Sequence, residues 1–178
     1  MCRLTAFLLS LLMIATTATA DVVVNIPAQL DGRDGSGQFT RGVDVALDAG
    51  SYLVYSVGPV DGGEFMYEAW NCGLGYLNQY FIHSTGGTVF YGSRDSLGDN
   101  GQFFATPTAA LNAAKASFSP HLLVIPVQQV LQFGIGDSFY YDNSGGISLR
   151  IVPVPEPASL ALLAGGLGVL LSRRRVPS

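Results

Sequence analysis

Charge, cysteine and histidine are all scarce in this chain of 178 residues. Only 12% of the residues are charged, and the chain has two cysteines and two histidines. Between residues 21 and 153, five basic residues stand against twelve acidic ones. We therefore expect no nucleic-acid partner, because phosphate binding needs a basic surface.

The familiar catalytic motifs are also missing. The sequence has no Gly-x-Ser-x-Gly elbow, no His-Glu-x-x-His and no phosphate-binding glycine loop, and His83 and His121 are far apart in it. Glu64 and Glu68 are spaced to share a strand face, and paired carboxylates serve glycoside hydrolysis. Such a pair more often forms a solvated sheet face. We therefore predict a protein that is not an enzyme, with a secreted glycoside hydrolase or other surface enzyme as the alternative.

The first twenty residues have the three parts of a secretory signal peptide. Arg3 supplies the positive charge, residues 6–15 form an apolar core, and Ala18-Thr19-Ala20 is a small-x-small cleavage site for signal peptidase. Cleavage after Ala20 removes one cysteine, so Cys72 is left without an intramolecular disulfide partner. The sequence therefore predicts a signal helix over 1–20 and an exported mature protein.

Residues 154–178 contain an extended motif, an apolar run and a basic cluster. Pro155-Glu156-Pro157 stays extended because both prolines fix φ and lack an N–H donor. The uncharged run over 158–172 has 15 residues. That is shorter than the roughly 20 that span a bilayer, but interface residues and snorkelling arginines cover part of the difference. Because Arg173, Arg174 and Arg175 stop transfer, we predict a C-terminal transmembrane helix.

This order of features resembles the PEP-CTERM sorting signal of bacterial envelope proteins. In that family the tail is a substrate of exosortase, a membrane-embedded cysteine protease, and the family is associated with exopolysaccharide and biofilm production. The resemblance implies a transient membrane anchor, processing of the tail by exosortase, and a final location at the cell surface or outside the cell. It implies nothing about what residues 21–153 do there.

Residues 21–153 have the size of one domain and predict a mainly β fold. Thr106 suits a helix N-cap, Pro107 suits the first helical position, and the alanines that follow predict a short helix from about Pro107 to Ala116. Short strands with glycine-rich turns favour a single β-sandwich or jelly-roll-like domain. The predicted strands cover 22–26, 43–47, 52–57, 65–70, 76–83, 88–91, 122–125, 130–135, 139–141 and 147–151, with 122–125 and 130–135 buried and the last two forming a hairpin.

The loop of that hairpin carries the most suggestive chemistry. Asp137 lies five residues before Asp142-Asn143, and carboxylate and amide oxygens close together on a loop suit Ca²⁺. The pattern resembles the end of calcium-dependent galactose-binding lectin sandwiches, in which such residues hold an ion that binds sugar hydroxyls. The resemblance makes Asp142 and Asn143 the paired ligands, while Asp137 lies too close to match the family's leading aspartate cleanly. A tight turn without an ion remains the alternative interpretation, since Asp, Asn and the glycines at 145 and 146 suit positive φ.

Other polar and aromatic groups are weaker candidates. The acidic stretches Asp31–Gly35, Asp95 and Asp99-Asn100 are interpreted as solvated loops. Six aromatic residues suit either sugar stacking or the core: Tyr52, Tyr55, Tyr67, Trp70, Tyr76 and Tyr80. The sequence therefore predicts an exported, exosortase-sorted envelope or extracellular-matrix protein with a structural or carbohydrate-binding domain and extracellular polysaccharide as its candidate partner.

Overall fold

The computed structural model describes residues 20–30, 42–71, 73–92, 103–135 and 143–154, without the side chains of Trp70 and Asn71. Residues 20–154 form one compact unit, and the fold is mainly β with one α-helix in the described part. The predicted signal helix up to residue 19 and the sorting tail from Pro155 onward lie outside the described residues. Among the residues that are described, no helix is long and apolar enough to cross a membrane.

Eleven strands and one helix make up the described fold. The strands are β1 (Val22–Pro27), β2 (Val43–Leu47), β3 (Gly50–Val57), β4 (Trp70–Asn71), β5 (Gly75–Leu77), β6 (Tyr80–Ser84), β7 (Gly87–Tyr91), β8 (Phe103–Phe104), β9 (His121–Ile125), β10 (Gln129–Gly134) and β11 (Gly146–Pro153). The helix α1 (Pro107–Ser117) lies between β8 and β9, and short 3-10 helices cover Ala28–Leu30 and Pro59–Asp61.

The strands form three antiparallel sheets. The first has the order β1-β11-β3-β9, the second β2-β10-β6-β7, and the third β4-β5-β8. In the first sheet, β1 at the start of the domain pairs with β11 at its end, from Val22↔Ile151 to Pro27↔Gly146. Strand β11 also pairs with β3. The two ends of the domain are therefore held in one sheet by hydrogen bonds between residues distant in sequence.

One core is shared by the two four-stranded sheets. Buried side chains of the first sheet, including Val54 and Leu149, join buried side chains of the second, including Leu131 and Phe133, in a single cluster. Alternation along each strand directs one face to this cluster, as the period of two requires. Burying a large apolar side chain of this kind stabilises the fold by about 1.5–3 kcal/mol.

The helix predicted over Pro107–Ala116 is confirmed and ends one residue later, at Ser117. The Thr106 hydroxyl oxygen accepts a hydrogen bond from the Ala109 N–H at 3.1 Å, which satisfies one N–H that has no partner within the helix. Ala110, Leu111 and Ala114 form the buried face of α1. Its existence and start were therefore determined by local chemistry.

The predicted final hairpin is wrong. Residues 139–141 were predicted to pair with the strand at 147–151, and they lie outside the described residues. That strand is β11, and its two edges are already paired with β1 and β3. Pairing with distant strands therefore replaced the local partner that the sequence suggested.

Two further strand predictions need correction. Residues 65–69 form no strand, and the buried Tyr67 has a φ of 58°, which a strand does not accommodate. Strand β9 is present but not fully buried, because Leu122 and Val124 are 60% and 59% exposed. It pairs with β3 alone in the described part of the sheet, so one of its faces is open to solvent.

Candidate functional site

The loop that leads into β11 contains the one predicted cation ligand that the structure describes. Asn143 is only 2% exposed, and neither atom of its amide has a hydrogen-bond partner in the described part of the chain. A buried polar group without a partner is costly, typically by about 1–3 kcal/mol. Asp137 and Asp142, the other two predicted ligands, lie outside the described residues.

The segment around Glu68 holds this loop tightly. The Glu68 N–H donates to the Gly146 carbonyl oxygen at 2.7 Å, and the Ala28 N–H donates to the Gly145 carbonyl oxygen at 2.8 Å. Gly145 has a φ of 71°, and a Cβ placed on it would lie 2.1 Å from the Glu68 carbonyl oxygen. The predicted positive φ is therefore confirmed at Gly145, whereas Gly146 already belongs to β11.

A cavity of about 470 Å³ lies beside the loop, and we call it the loop cavity. Its described lining consists of Glu68, Tyr76, Pro107, Ser144 and Gly145. It therefore combines a carboxylate, a hydroxyl and a partly exposed aromatic ring. Within the described residues, no group of three His, Cys, Asp or Glu side chains is placed to hold a metal ion.

A second cavity of about 470 Å³, which we call the basic cavity, lies where β3, β11 and the end of α1 meet. Lys115 Nζ is 3.0 Å from Asp61 Oδ2, and Arg150 Nη2 donates a hydrogen bond to the Asp61 carbonyl oxygen. The hydrogen bond from Lys115 is the main cause that lowers the pKa of the Asp61 carboxyl below its usual value. The lining residues are Asp21, Tyr55, Ser56, Val57, Asp61, Lys115, Ser119, Arg150 and Val152.

Sequence reasoning missed the basic cavity. Its four charged residues are distant in sequence: Asp21 directly precedes β1, and Asp61, Lys115 and Arg150 come from a 3-10 helix, an α-helix and a strand. No pattern of sequence spacing predicts that such residues come together in the fold. The one available signal was the scarcity of basic residues in the domain, which makes the position of each one informative.

The candidate aromatic residues divide into two groups. Tyr52, Tyr67 and Tyr80 are buried and belong to the core, and burial raises the pKa of all three hydroxyls. Tyr76 and Tyr55 are partly exposed, and each lines one of the two cavities. The side chain of Trp70 lies outside what is described.

The structure does not bring together the carboxylates considered for glycoside hydrolysis, nor the two histidines that are far apart in the sequence. Glu64 and Glu68 lie on the irregular segment between β3 and β4, so the predicted common strand face is wrong. His83 lies on β6 with its Nδ1 2.7 Å from Thr88 Oγ1. His121 lies on β9 in the other large sheet, stacked on Tyr91 at 3.7 Å, and burial lowers its pKa.

Ala20, at the predicted signal cleavage site, is exposed at the start of the compact unit, and Ala18 lies outside the described residues. Four further candidates also lie outside the described residues: Asp31–Gly35, Asp95, Asp99-Asn100 and Cys72. The loop interpretations of the acidic stretches and the lack of an intramolecular disulfide at Cys72 stay predictions.

The described part thus defines a mainly β domain whose last strand leads directly into the C-terminal tail. The model of the PEP-CTERM protein-sorting motif matches residues 153–175, a range that includes Pro155, Glu156, Pro157 and the arginines at 173–175. The predicted sorting motif is therefore confirmed, and the motif supports an exported protein that exosortase processes. No curated protein and no solved structure matched the chain, so the resemblance to calcium-dependent lectins has no support from a relative.

Proposed function

We propose that this chain is an exosortase-sorted protein of the cell envelope or extracellular matrix, whose β domain has a non-catalytic structural or carbohydrate-binding role. The observation that carries the proposal is the sorting motif at residues 153–175. The predicted signal peptide at the other end agrees with this route. The C-terminal helix then acts as a transient membrane anchor until the tail is cleaved near Pro155-Glu156-Pro157.

Carbohydrate binding draws its support from the two cavities. Each combines hydrogen-bonding groups with a partly exposed tyrosine, and such rings pack against the apolar faces of sugars while the polar groups meet hydroxyls. An exported domain with these features suits extracellular polysaccharide as a partner.

A calcium ion at Asp137, Asp142 and Asn143 is part of the same proposal. The support is the buried amide of Asn143, which has no partner among the described residues, because an amide oxygen is one of the ligands that Ca²⁺ takes. A bound ion would satisfy that oxygen and offset the repulsion between the two carboxylates. The alternative of a bare turn supplies the amide with no partner from the described part of the chain.

The alternative function, a secreted glycoside hydrolase, has less support. A general acid in such an enzyme needs a raised pKa, whereas Lys115 lowers the pKa of Asp61, a carboxyl in the basic cavity. Glu64 and Glu68 also lie on no common strand.

The sorting route is tested by intact mass spectrometry of the protein taken from the surface of its own host. We expect a mature chain that ends near the Pro-Glu-Pro motif, because exosortase removes the apolar run and the arginine cluster. Recovery of surface-exposed protein that still carries Arg173–Arg175 would refute this route.

The domain's role is tested by a glycan array of the same surface protein with and without Ca²⁺, combined with thermal unfolding in EDTA and in millimolar Ca²⁺. Ca²⁺ at a hundred times its dissociation constant adds about 2.7 kcal/mol of stability by mass action. Asp142→Ala should abolish this gain, while Asp44→Ala on β2 should keep it. Equal unfolding midpoints of the wild type in the two buffers would eliminate the ion site, and a blank array would eliminate carbohydrate binding.

A further inference from the structure

The described part of the domain contains two basic side chains, Lys115 on α1 and Arg150 on β11, and both line the basic cavity. Six acidic residues are described alongside them, and two of these, Asp21 and Asp61, line the same cavity. Basic residues that serve only solubility lie dispersed over a surface. Here the fold brings both to one concavity, although they are 35 positions apart in sequence.

Their charges are balanced to different extents. Lys115 pairs with the Asp61 carboxylate at 3.0 Å, so that charge is compensated. Arg150 donates to the Asp61 backbone carbonyl, a neutral acceptor, and no carboxylate of the described residues lies within ion-pair distance of it. A guanidinium has five N–H donors in a planar fork. Arg150 therefore forms no direct ion pair with a described carboxylate, although its charge still acts on the Asp61 carboxylate at longer range, and it keeps further donors at the cavity wall.

The surroundings of Arg150 complement a sugar. Tyr55 lies directly opposite Arg150 in the β3–β11 register and is partly exposed. Ser119 adds a hydroxyl whose oxygen accepts the Ser56 N–H at 2.7 Å. The cavity volume of about 470 Å³ falls in the range of roughly 300–1,000 Å³ that is usual for small-molecule sites.

We infer that the basic cavity binds a carboxylate-bearing sugar, a uronic acid residue of an acidic polysaccharide. Arg150 pairs with the carboxylate through its fork, Tyr55 packs against the sugar ring, and Ser119 meets a hydroxyl. Lys115 keeps the Asp61 carboxylate neutralised so that it does not repel the ligand. This inference rests on the proposed carbohydrate-binding function and names its ligand class. The tyrosine ring and the hydroxyl favour a sugar over an acidic peptide as the source of the carboxylate.

The test is isothermal titration calorimetry of the full chain in detergent. Its ligands are trimers of galacturonic and glucuronic acid, the matching neutral trimers, and a triglutamate peptide. We expect at least one uronate trimer to bind, at least about tenfold more tightly than its neutral counterpart, because hydrogen bonds to a charged group are stronger than those between neutral groups. Added salt should weaken that binding.

The other outcomes separate this inference from the function on which it rests. Equal binding of neutral and acidic trimers would overturn the uronate assignment and leave carbohydrate binding in place. Binding of triglutamate alone, or of none of these ligands, would also overturn it. Carbohydrate binding itself is rejected only by a blank glycan array.

Two variants and a matched control locate the site. Arg150→Gln should weaken uronate binding about tenfold or more, whereas Gln129→Glu changes net charge equally on the other large sheet and should leave binding unchanged. Gln129 is a suitable control because its side-chain oxygen accepts from Thr85, and a carboxylate still does so. Lys115→Gln, at a side chain that is 44% exposed, frees the Asp61 carboxylate and should also weaken binding. It tests the site even if Arg150→Gln fails to fold. Unchanged affinity in the folded variants would place the ligand elsewhere.

Discussion

Replacing Gly145 by alanine probes the tight contact between the loop before β11 and the segment around Glu68. Gly73 provides a matched control, because both glycines have left-handed φ values, 71° and 80°. An L residue in that conformation costs about 1–2 kcal/mol at either position. The difference lies in space: the new Cβ at 145 would sit 2.1 Å from the Glu68 carbonyl oxygen, whereas at 73 nothing lies within 4 Å.

The size of the effect depends on the groups that must move. The backbone of Glu68 cannot stay in place. The hydrogen bond that its N–H donates to the Gly146 carbonyl oxygen at 2.7 Å is therefore strained or lost. The bond from the Ala28 N–H to the Gly145 carbonyl oxygen at 2.8 Å belongs to the same contact. Each buried group left without its partner costs about 1–3 kcal/mol. For the two hydrogen bonds and the left-handed φ together, we therefore expect Gly145→Ala to lose about 3–8 kcal/mol, against about 1–2 kcal/mol for Gly73→Ala.

The assay is urea unfolding of both variants and the wild type, followed by circular dichroism at equal protein concentration. A loss of about 3–8 kcal/mol is a large part of the 5–15 kcal/mol that is usual for a folded domain, so Gly145→Ala should already be partly unfolded at low urea. Equal losses at the two glycines would show that the loop and the Glu68 segment do not approach as closely as described.

Three further predictions concern the helix, the core and an ion pair. Thr106→Ala should lower the free energy of unfolding by about 1 kcal/mol through loss of the N-cap; no change in a urea titration would contradict the cap. Phe133→Ala in the core should cost about 3–5 kcal/mol, and Val130→Ala on the exposed face of the same strand at most about 0.5 kcal/mol. Similar costs for these two would mean that the faces of β10 are misassigned. The lowered pKa of Asp61 predicts a contribution to stability that is present above its ordinary pKa of 3.8 and is lost as the pH falls through the lower folded-state value. Thermal unfolding between pH 7 and pH 2 should show a smaller loss in Lys115→Gln than in the wild type, because Lys115 is the main but not the sole cause of the lowered pKa, and identical profiles would contradict it.

Features that depend on neighbours in the sequence were predictable. The cap at Thr106, the proline at 107 and the run of alanines predicted α1 to within one residue, because helix hydrogen bonds and caps join residues three or four positions apart. The sorting motif was recognisable for a similar reason. Its proline motif, apolar run and basic cluster come one after another along the chain.

Features that depend on pairing between distant residues were not predictable. The segment 139–141 was predicted to pair with β11 because it is close in sequence. The strands that do pair with β11 are β1 and β3, whose paired residues are more than 90 positions away. The alternation in β9 does not reveal that the strand has one sheet neighbour and an open face in the described fold. Local patterns predicted most of the described strands, though wrongly over 65–69, whereas the partners of each strand depend on the packing of the whole core.

The candidate sites divide along the same line. The sequence alone identified Asn143 as a polar residue in a turn, but its burial, with no hydrogen-bond partner among the described residues, depends on how the surrounding segments pack around it. The basic cavity depends entirely on the tertiary structure. Asp61, Lys115 and Arg150 meet only because a 3-10 helix, the end of α1 and the middle of β11 converge there, and charges that interact through space leave no spacing pattern in the chain.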